Sequence, residues 1–427
     1  MGEPVRQSDR PAARAAAAWC VAAAFGTYFC VYAVRKPFTA GAFADDPFWG
    51  AGYKSALVVA QVLGYTASKF LGIKVVSEVS PARRAGLILA LVGVAELALF
   101  LFAVTPAPWN VAWLFVNGLP LGMIFGLVLG VLEGRRQSEA LAAGLCASFV
   151  VADGAAKSAG AYLLKAGVSE AWMPAAAGLL FAPALLLFVG MLARVPPPAQ
   201  SDVALRSERA PMTAADRRAF GRRYAAGLLL LGGAYLLVTV LRSVRADFAP
   251  EVWAGLGVTG QPGVFTYSEM AVAACVLVLS GAAVLIRDNR RAFTYAMGTA
   301  AAGAVLLAAA LVGLRAGVLS PLAFMVLHGV GLYLPYIAVH TTVFERLIAM
   351  TRDRGTVGYL MTLVDAFGYL GYVAVLLARS AGGGGPDFLA FFVPLSWVIA
   401  AATLALLLPA WYYFLSHPAA RPAAGEA

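Results

Sequence analysis

The chain has 427 residues, of which 61% are hydrophobic and only 13% are charged, and its formal net charge is +10. Its mean hydropathy is +0.79. This composition excludes a soluble enzyme and predicts an all-α polytopic membrane protein whose solvent is the lipid bilayer. The four cysteines lie in apolar segments and show neither a disulfide framework nor the spacing of a metal site.

Twelve apolar stretches are long enough to cross a membrane, because a helical span needs about 20 residues. They fall near 15–40, 52–74, 84–105, 109–132, 140–164, 172–194, 224–248, 266–286, 292–314, 319–344, 355–378 and 388–414. A proline- and arginine-rich stretch separates the first six from the last six and predicts a linker. We therefore expect an N-terminal six-helix bundle at 1–194, a cytoplasmic linker at 195–223, a C-terminal six-helix bundle at 224–415 and a cytoplasmic tail at 416–427.

The basic residues between the spans indicate the orientation of the chain. If the N-terminus is cytoplasmic, 22 Lys and Arg residues lie on the cytoplasmic side and 4 on the opposite side. This bias follows the positive-inside rule and predicts a multi-pass protein of the plasma (inner) membrane with both termini in the cytoplasm. Because the basic charge is spread over the loops in this way, no nucleic-acid partner is expected.

Six further basic residues lie within or at the ends of the predicted spans. They are Arg35, Lys36, Lys69, Lys157, Arg242 and Arg245. The acidic residues in the spans are Glu96, Asp153, Asp247, Glu269 and Asp365. A Lys or Arg at the centre of a membrane helix costs about 2.5–3.5 kcal/mol, so each needs a partner. For the adjacent Arg35 and Lys36 the expected partner is an anion. Arg245 lies close to Asp247 and is expected to form an ion pair at the extracellular end.

An internal repeat relates the two halves of the chain. The aligned pairs are Arg35 with Arg242, Asn117 with His328, and Asp153 with Asp365, at offsets of 207, 211 and 212 residues. Two six-helix repeats related by an axis along the membrane normal are the organisation of the major facilitator transporters, which hold substrate between the halves. In that arrangement the first and seventh helices face each other, so Arg35 and Arg242 should converge on one site.

Four motifs resemble the organophosphate:phosphate antiporters of the major facilitator superfamily, the glycerol-3-phosphate and hexose-phosphate exchangers. They are Tyr28, Tyr32, Arg35, Lys36 and Phe38 in helix 1; Tyr65, Ser68, Lys69 and Phe70 in helix 2; Leu241, Arg242, Asp247 and Pro250 in helix 7; and Gly355, Thr356 and Phe367–Gly371 in helix 11. The resemblance implies a phosphate-bearing small anion as substrate. Independently of the resemblance, no cofactor is expected. It also implies that Arg35 and Arg242 hold the phosphate. The residues expected to line the cavity are Lys69, Tyr28, Tyr32 and Tyr65, together with Tyr235, the repeat counterpart of Tyr28.

The chain departs from that family at two places. Pro37 stands where the family has Asn, and helix 5 carries Asp153 and Lys157 but no histidine. Arg245 is an additional cation. We therefore expect a divergent branch of the family, and the identity of its substrate does not follow from the resemblance.

Five residues are candidates for coupling or gating. Asp153 and Lys157 are four residues apart and should face each other on one helix, either as a structural pair or as a charge relay. Asp365 has no lysine four residues on, so Asp365 and Glu269 are the candidate protonatable carboxylates. Lys36 is either an outer gate or an interfacial anchor.

No nucleophile–base pair, metal-ligand cluster or phosphate-loop motif is present, so an enzyme is not expected. The predicted function is secondary active transport of an organic phosphate or inorganic phosphate by alternating access, as an antiporter and as a monomer. The first alternative is a proton-coupled symporter of another organic anion that uses Asp365 or Glu269. The second is a non-transporting sensor of phosphorylated metabolites.

Overall fold

The computed structural model describes residues 10–43, 52–132, 138–195, 214–286, 288–351, 357–382 and 387–417. In these ranges the chain forms twelve long helices and no β-strand. The helices are α1 Arg10–Tyr32, α2 Gly52–Glu78, α3 Pro81–Val104, α4 Val111–Leu132, α5 Ser138–Lys165, α6 Met173–Ala193, α7 Ala225–Asp247, α8 Val264–Val284, α9 Asn289–Arg315, α10, α11 Val357–Ala381 and α12 Phe388–Ser416. Helix α10 runs without a break through Pro321–Ile337, a π-helical turn Ala338–Val343, and Phe344–Thr351.

Among the described helices, nine are long and apolar enough to cross a membrane: α3, α4 and α6 to α12. Helix α1 has a shorter apolar run, Ala18–Tyr32. Helices α2 and α5 are 27 and 28 residues long and contain buried charged side chains, which lower their hydropathy. The all-α polytopic fold predicted from the sequence is confirmed.

Helices α2 and α4 approach each other backbone to backbone. A Cβ atom at Gly64 would lie 2.1 Å from the carbonyl oxygen of Phe115, and one at Gly118 would lie 2.2 Å from that of Gln61. Only glycine permits this approach, as in other tightly packed membrane helices. The contact holds Gln61 of α2 against α4, close to the end of α1.

The first six helices meet the last six where α5 packs against α8 and α2 against α11. The Ser158 hydroxyl of α5 donates to the carbonyl of Pro262 at 2.7 Å and accepts from the backbone N–H of Thr266 at 3.2 Å. Lys54 of α2 forms an ion pair with Glu251 in the short helix Ala249–Gly255. These contacts lie at the end of the bundle where α1 and α7 finish, so the halves touch directly at that end.

Helix α1 ends earlier than the predicted span 15–40. Its last residue is Tyr32, and a tight turn over residues 33–36 leads into the 3₁₀ helix Pro37–Ala40. Pro37 has no N–H group and cannot continue an α-helix, which accounts for the break. Arg35 and Lys36 therefore lie in a turn rather than in the middle of a helix.

The predicted linker and tail are described only in part. Residues Ala214–Arg223 form a short helix before α7. Residues 196–213 and 418–427 lie outside the described part of the chain. The boundaries 1–194, 195–223, 224–415 and 416–427 therefore stay predictions.

Candidate functional site

A small cavity lies between the two halves and has room for about one water molecule. Helices α1, α2, α5, α7, α10 and α11 and the turn after α1 contribute to its wall. The lining residues are Tyr32, Arg35, Lys36, Val62, Phe149, Asp153, Arg242, Ser243, Asp247, Tyr333, Tyr369 and Tyr372. Arg35 and Arg242, which the repeat predicts to converge, thus face the same cavity.

Arg35 contacts aromatic rings and no carboxylate among the described residues. Its Cζ atom lies 3.8 Å from the ring centroid of Tyr65 and 5.8 Å from that of Tyr32. The residue is only 6% exposed, and its Nε atom is buried without a hydrogen-bond partner. A cation over an aromatic face gains about 0.5–2 kcal/mol, but its charge is not neutralised.

Arg242 has similar surroundings, although it lies within the regular helix α7. Its Cζ atom is 4.6 Å from the ring centroid of Tyr336, and Nη2 donates to the Tyr369 hydroxyl at 3.3 Å. The residue is 8% exposed, and its Nε atom also lacks a partner. No carboxylate of the described chain pairs with it.

The other four intramembrane cations each meet a carboxylate. The ion pairs are Lys36 with Asp247, Lys69 with Asp365, Lys157 with Asp153, and Arg245 with Glu269. The first two pairs join the halves of the molecule, and the last two lie within one half. Within the described residues, Arg35 and Arg242 are therefore the two predicted intramembrane cations without an acidic partner.

The ion pair expected for Arg245 is present, but its acid is Glu269 rather than the nearby Asp247. Nη1 of Arg245 donates to Oε1 of Glu269 at 2.6 Å, and Nη2 donates to the Met325 carbonyl at 3.0 Å. Arg245 and Asp247 are two residues apart on α7, so their side chains point in different directions. Asp247 instead holds Lys36 and accepts a hydrogen bond from the Tyr372 hydroxyl at 2.9 Å.

The tyrosines predicted from helices 1 and 2 are all buried near Arg35. Tyr32 lines the cavity itself. Tyr65 packs edge-on against Tyr369 of α11, with ring centroids 5.3 Å apart. Tyr28 does not line the cavity and packs edge-on against Tyr32, with ring centroids 5.6 Å apart. Arg35 is thus held in an aromatic wall to which both halves contribute.

Lys69, Tyr235 and Asp365 form a second polar cluster that does not line the cavity. The Tyr235 hydroxyl donates to Oδ1 of Asp365 at 2.5 Å and lies 3.1 Å from Nδ1 of His340. Oδ2 of Asp365 accepts from Lys69 of the other half. His340 lies in the π-helical turn of α10 and is half-buried. The cluster links one half to the other through a single carboxylate.

The pair spaced four residues apart on α5 forms as its spacing predicts. Lys157 bonds Oδ2 of Asp153, while Oδ1 of Asp153 is buried without a partner. Asp153 lines the cavity, and Lys157 does not. Glu96 is half-buried in α3 and lies against Gly178 of α6.

The cavity retains net positive charge. The acidic lining residues, Asp153 and Asp247, are each balanced by a lysine. The charges of Arg35 and Arg242 remain, and they sum to about +2, which suits a dianion. The described residues contain no group of three or more His, Cys, Asp or Glu side chains that could hold a metal ion.

Sequence reasoning did not predict the contacts of several residues that lie at the site, beside it or between the halves. They are Gln61, Asn117, Tyr333, Tyr372, His340 and Lys54. Spacing could have indicated the tyrosines, because Tyr333 and Tyr336, like Tyr369 and Tyr372, are three residues apart and share a helix face. The other four depend on contacts between distant helices, for which the sequence offers no comparable signal.

Three solved structures resemble this chain, each with a TM-score of 0.60. A D-xylose-proton symporter is 13% identical, with 92% of this chain and 96% of that chain covered. A variant of the nucleoside transporter NupG is 11% identical, with 93% and 99% covered. A bacterial homolog of the human lysosomal transporter Spinster, in an inward-facing and unoccupied conformation, is 13% identical, with 93% and 96% covered. At such identities the likeness establishes the fold, two six-helix bundles of the major facilitator type.

Comparison with curated protein sequences gave no match. Residues 37–417 match a family described as "Family of unknown function (DUF5690)", and this match spans most of the described helices. The chain therefore belongs to the DUF5690 family and has the twelve-helix major facilitator fold.

Proposed function

We propose that this protein is a secondary active transporter that moves an organic phosphate or inorganic phosphate by alternating access, as an antiporter. One observation carries the proposal: Arg35 and Arg242 face one cavity from two halves, with no acidic partner among the described residues. Each cation costs about 2.5–3.5 kcal/mol in the membrane interior, and ring contacts return about 0.5–2 kcal/mol of this. A bound dianion would offset the remainder.

Phosphate fits this pair for chemical reasons. The planar guanidinium group presents paired N–H donors that match two phosphate oxygens, and it keeps its charge at any working pH. Tyr32 lies in the same lining, and its hydroxyl group is a donor that can add a hydrogen bond to an anion. Tyr28 and Tyr65 support Arg35 by packing. These groups suit a compact anion with several acceptor atoms, which would enter once the halves separate, because the cavity in the described arrangement has room for about one water molecule.

The predicted gating residues have roles in this scheme that follow from their partners. Lys36 and Asp247 line the cavity and join the halves there, so this pair would act as a gate. Lys69, Tyr235 and Asp365 form a second link between the halves, so Lys69 becomes available to substrate only when that link opens. Asp153 with Lys157, and Glu269, are the remaining candidates for coupling.

Exchange rather than net transport follows from electrostatics. An empty site leaves two like charges facing each other, which opposes the closed states through which alternating access must pass. A ligand shifts such an equilibrium only by its differential affinity for the states, and an anion that contacts both arginines favours closure. The closed form should therefore be populated only with substrate bound.

We also propose that the protein is a monomer in the plasma membrane, with both termini in the cytoplasm.

The test is counterflow in liposomes that contain the purified full-length protein. We expect labelled phosphate to enter vesicles loaded with phosphate or with a phosphorylated metabolite, and to enter empty vesicles poorly. Arg35→Lys and Arg242→Lys keep the charge but lose the paired donors, so uptake should fall about tenfold or more. Arg315→Lys, at the exposed end of α9, is the matched control and should not change uptake.

Three outcomes would contradict the proposal at different points. Unchanged phosphate binding in both lysine variants would defeat the assignment of the site. Efficient net uptake into empty vesicles would defeat antiport. Ligand-dependent thermal stabilisation of the protein without any flux would instead indicate a sensor of phosphorylated metabolites.

A second candidate is proton-coupled symport of another organic anion, which the cluster around Asp365 favours. Its carboxylate is hydrogen-bonded to Tyr235, whose hydroxyl contacts the half-buried His340. Such a cluster can carry a proton between solvent and the link to Lys69. Uptake that requires an imposed pH gradient, and that Asp365→Asn uncouples from it, would favour this candidate over antiport.

A further inference from the structure

The break after α1 leaves two backbone carbonyl groups without their helical partners. In a continuous α-helix, the carbonyls of Val34 and Arg35 would accept hydrogen bonds from the N–H groups four residues on. Here Pro37 opens a new helix, and the N–H of Thr39 donates to the carbonyl of Lys36 instead. Buried carbonyl groups must find other donors, because nearly all such groups in native proteins are paired.

Two side chains of the first half supply these donors. Nδ2 of Asn117 donates to the carbonyls of Val34, at 3.1 Å, and Ala95, at 3.0 Å. Nε2 of Gln61 donates to the carbonyl of Arg35 at 2.9 Å and to Oδ1 of Asn117 at 2.7 Å. Asn117 is fully buried and Gln61 nearly so. Every polar atom of the Asn117 amide group therefore has a partner, and the two side chains form one connected network.

The network controls the position of one residue. Gln61 and Tyr65 are four residues apart and lie on the same face of α2. Gln61 holds the main chain of Arg35, and the Tyr65 ring lies under its guanidinium group at 3.8 Å. Helix α2 thus fixes Arg35 at both ends, while Asn117 ties the preceding residue to α4 and α3.

The described part of the second half has no equivalent arrangement. Arg242 lies inside α7, where the helix itself satisfies its carbonyl. His328, which aligns with Asn117 in the repeat, is also fully buried, but its Nε2 atom lies 3.1 Å from the Ser396 hydroxyl of α12. Among the described residues, the network therefore serves Arg35 and not Arg242, at the point where Pro37 interrupts the helix.

We propose that Gln61 and Asn117 are positioning residues that hold Arg35 opposite Arg242 at the anion site. The choice of phosphate as the ligand rests on the proposed function, whereas the restraint of residues 33–36 by Gln61 and Asn117 does not. An arginine in a flexible turn would lose the fixed geometry that paired hydrogen bonds to a phosphate require. The two amide side chains provide that rigidity in place of the missing helical turn.

The experiment compares Asn117→Ala and Gln61→Ala with wild type in the purified full-length protein. The first readout is hydrogen–deuterium exchange of the backbone amides of residues 33–36. The second is the Kd for inorganic phosphate. We expect exchange in this turn to rise about tenfold or more and the Kd to weaken about tenfold, since small misplacements of a binding group have effects of this size or larger.

Asn110→Ala is the matched control. Asn110 is buried and accepts a hydrogen bond from the Tyr53 hydroxyl at 2.6 Å, but it does not contact the turn. This control should lose comparable thermal stability without a change in either readout. The double variant of Gln61 and Asn117 should be no worse than the more affected single variant, because the two residues act as one network. Gln61→Ala leaves both hydrogen bonds donated by Asn117 in place, so this variant alone can test the proposal if Asn117→Ala does not fold.

The two readouts separate the possible failures. Unchanged exchange over residues 33–36 in both variants would overturn the hold on the turn. Faster exchange with an unchanged Kd for phosphate would overturn the positioning role. If wild type does not bind phosphate at all, the proposed function fails, and the exchange data alone decide whether Gln61 and Asn117 hold the turn.

Discussion

The arginine pair at the cavity and the ion pairs around it accommodate buried charge in different ways. Lys36 and Lys69 each meet a carboxylate from the other half, so each pair is neutral. Arg35 and Arg242 meet tyrosine rings, which orient a cation and compensate it only in part. The charge that remains unbalanced lies in the cavity between the halves. Its position, more than the number of charges, indicates where an anion would bind.

The ion pairs themselves differ in what they connect. Arg245 and Glu269 belong to one half, whereas Lys69 and Asp365 join the two. Loss of a pair within one half should lower stability. Loss of a buried pair between halves should instead change mainly how the halves are arranged, and loss of a partly exposed pair between halves should have little effect. Three predictions test this division, and with it the contrast between balanced and unbalanced cations.

The largest effect is expected for Glu269→Gln. Arg245 is 2% exposed and would become a third buried cation without an acidic partner. Loss of one partner of a buried pair typically lowers the free energy of unfolding by about 3–5 kcal/mol. Unfolding in detergent measures this change. The double variant Arg245→Met with Glu269→Leu should recover most of the loss, because apolar residues can replace a buried pair.

An unchanged unfolding transition in Glu269→Gln would contradict this reasoning. It would mean that Arg245 tolerates burial without its carboxylate, as Arg35 and Arg242 do in the described structure. The absence of an acid would then no longer distinguish the cavity arginines from the other cations, and the main argument for an anion site would be lost.

A smaller effect, of a different kind, is expected for Asp365→Asn. Lys69 loses its partner in the other half, and Tyr235 loses its acceptor carboxylate. We expect the contact between α2 and α11 to weaken by about 2 kcal/mol, which shifts the population of arrangements in which these helices separate. Spin labels at the exposed positions Phe70 of α2 and Phe367 of α11 would report the distance between these two helices.

Asp387→Asn is the charge-matched control for that measurement. Asp387 is an exposed N-cap of α12, where asparagine caps equally well, so the distance distribution should not change. An identical distribution in Asp365→Asn and wild type would show that the Lys69 pair does not hold the halves together. The division between pairs within a half and pairs between halves would then fail.

Much of the fold, and the two arginines that face the cavity, could be predicted from the sequence. Span length and hydropathy predicted the twelve helices, because a helix that crosses a membrane must be about 20 residues long and apolar. The repeat offset brought Arg35 and Arg242 together, because corresponding helices of the two halves face each other. The pairing of Asp153 with Lys157 also followed from the sequence, since four residues make one helical turn.

The long-range partners could not be predicted in the same way. Lys69 and Asp365 are 296 residues apart, and their contact depends on how α2 and α11 rotate and pack. The acid that pairs with Arg245 depends likewise on which face of α7 meets α8. The break after α1 did have a local signal in Pro37, but the donors that replace the lost helical bonds come from α2 and α4.

The smallest effect is expected for Glu251→Gln, at the end of the bundle where α1 and α7 finish. The pair of Lys54 with Glu251 also joins the halves, but the Glu251 side chain is 25% exposed, so solvent screens the interaction. Lys54 keeps a hydrogen bond to the Thr39 carbonyl at 2.8 Å and a contact with the Phe248 ring at 5.4 Å. The unfolding free energy should therefore fall by about 1 kcal/mol or less, and by less still at high salt. Thermal unfolding at two salt concentrations measures this. A loss as large as that of Glu269→Gln would mean that exposure does not decide how much an ion pair between the halves contributes.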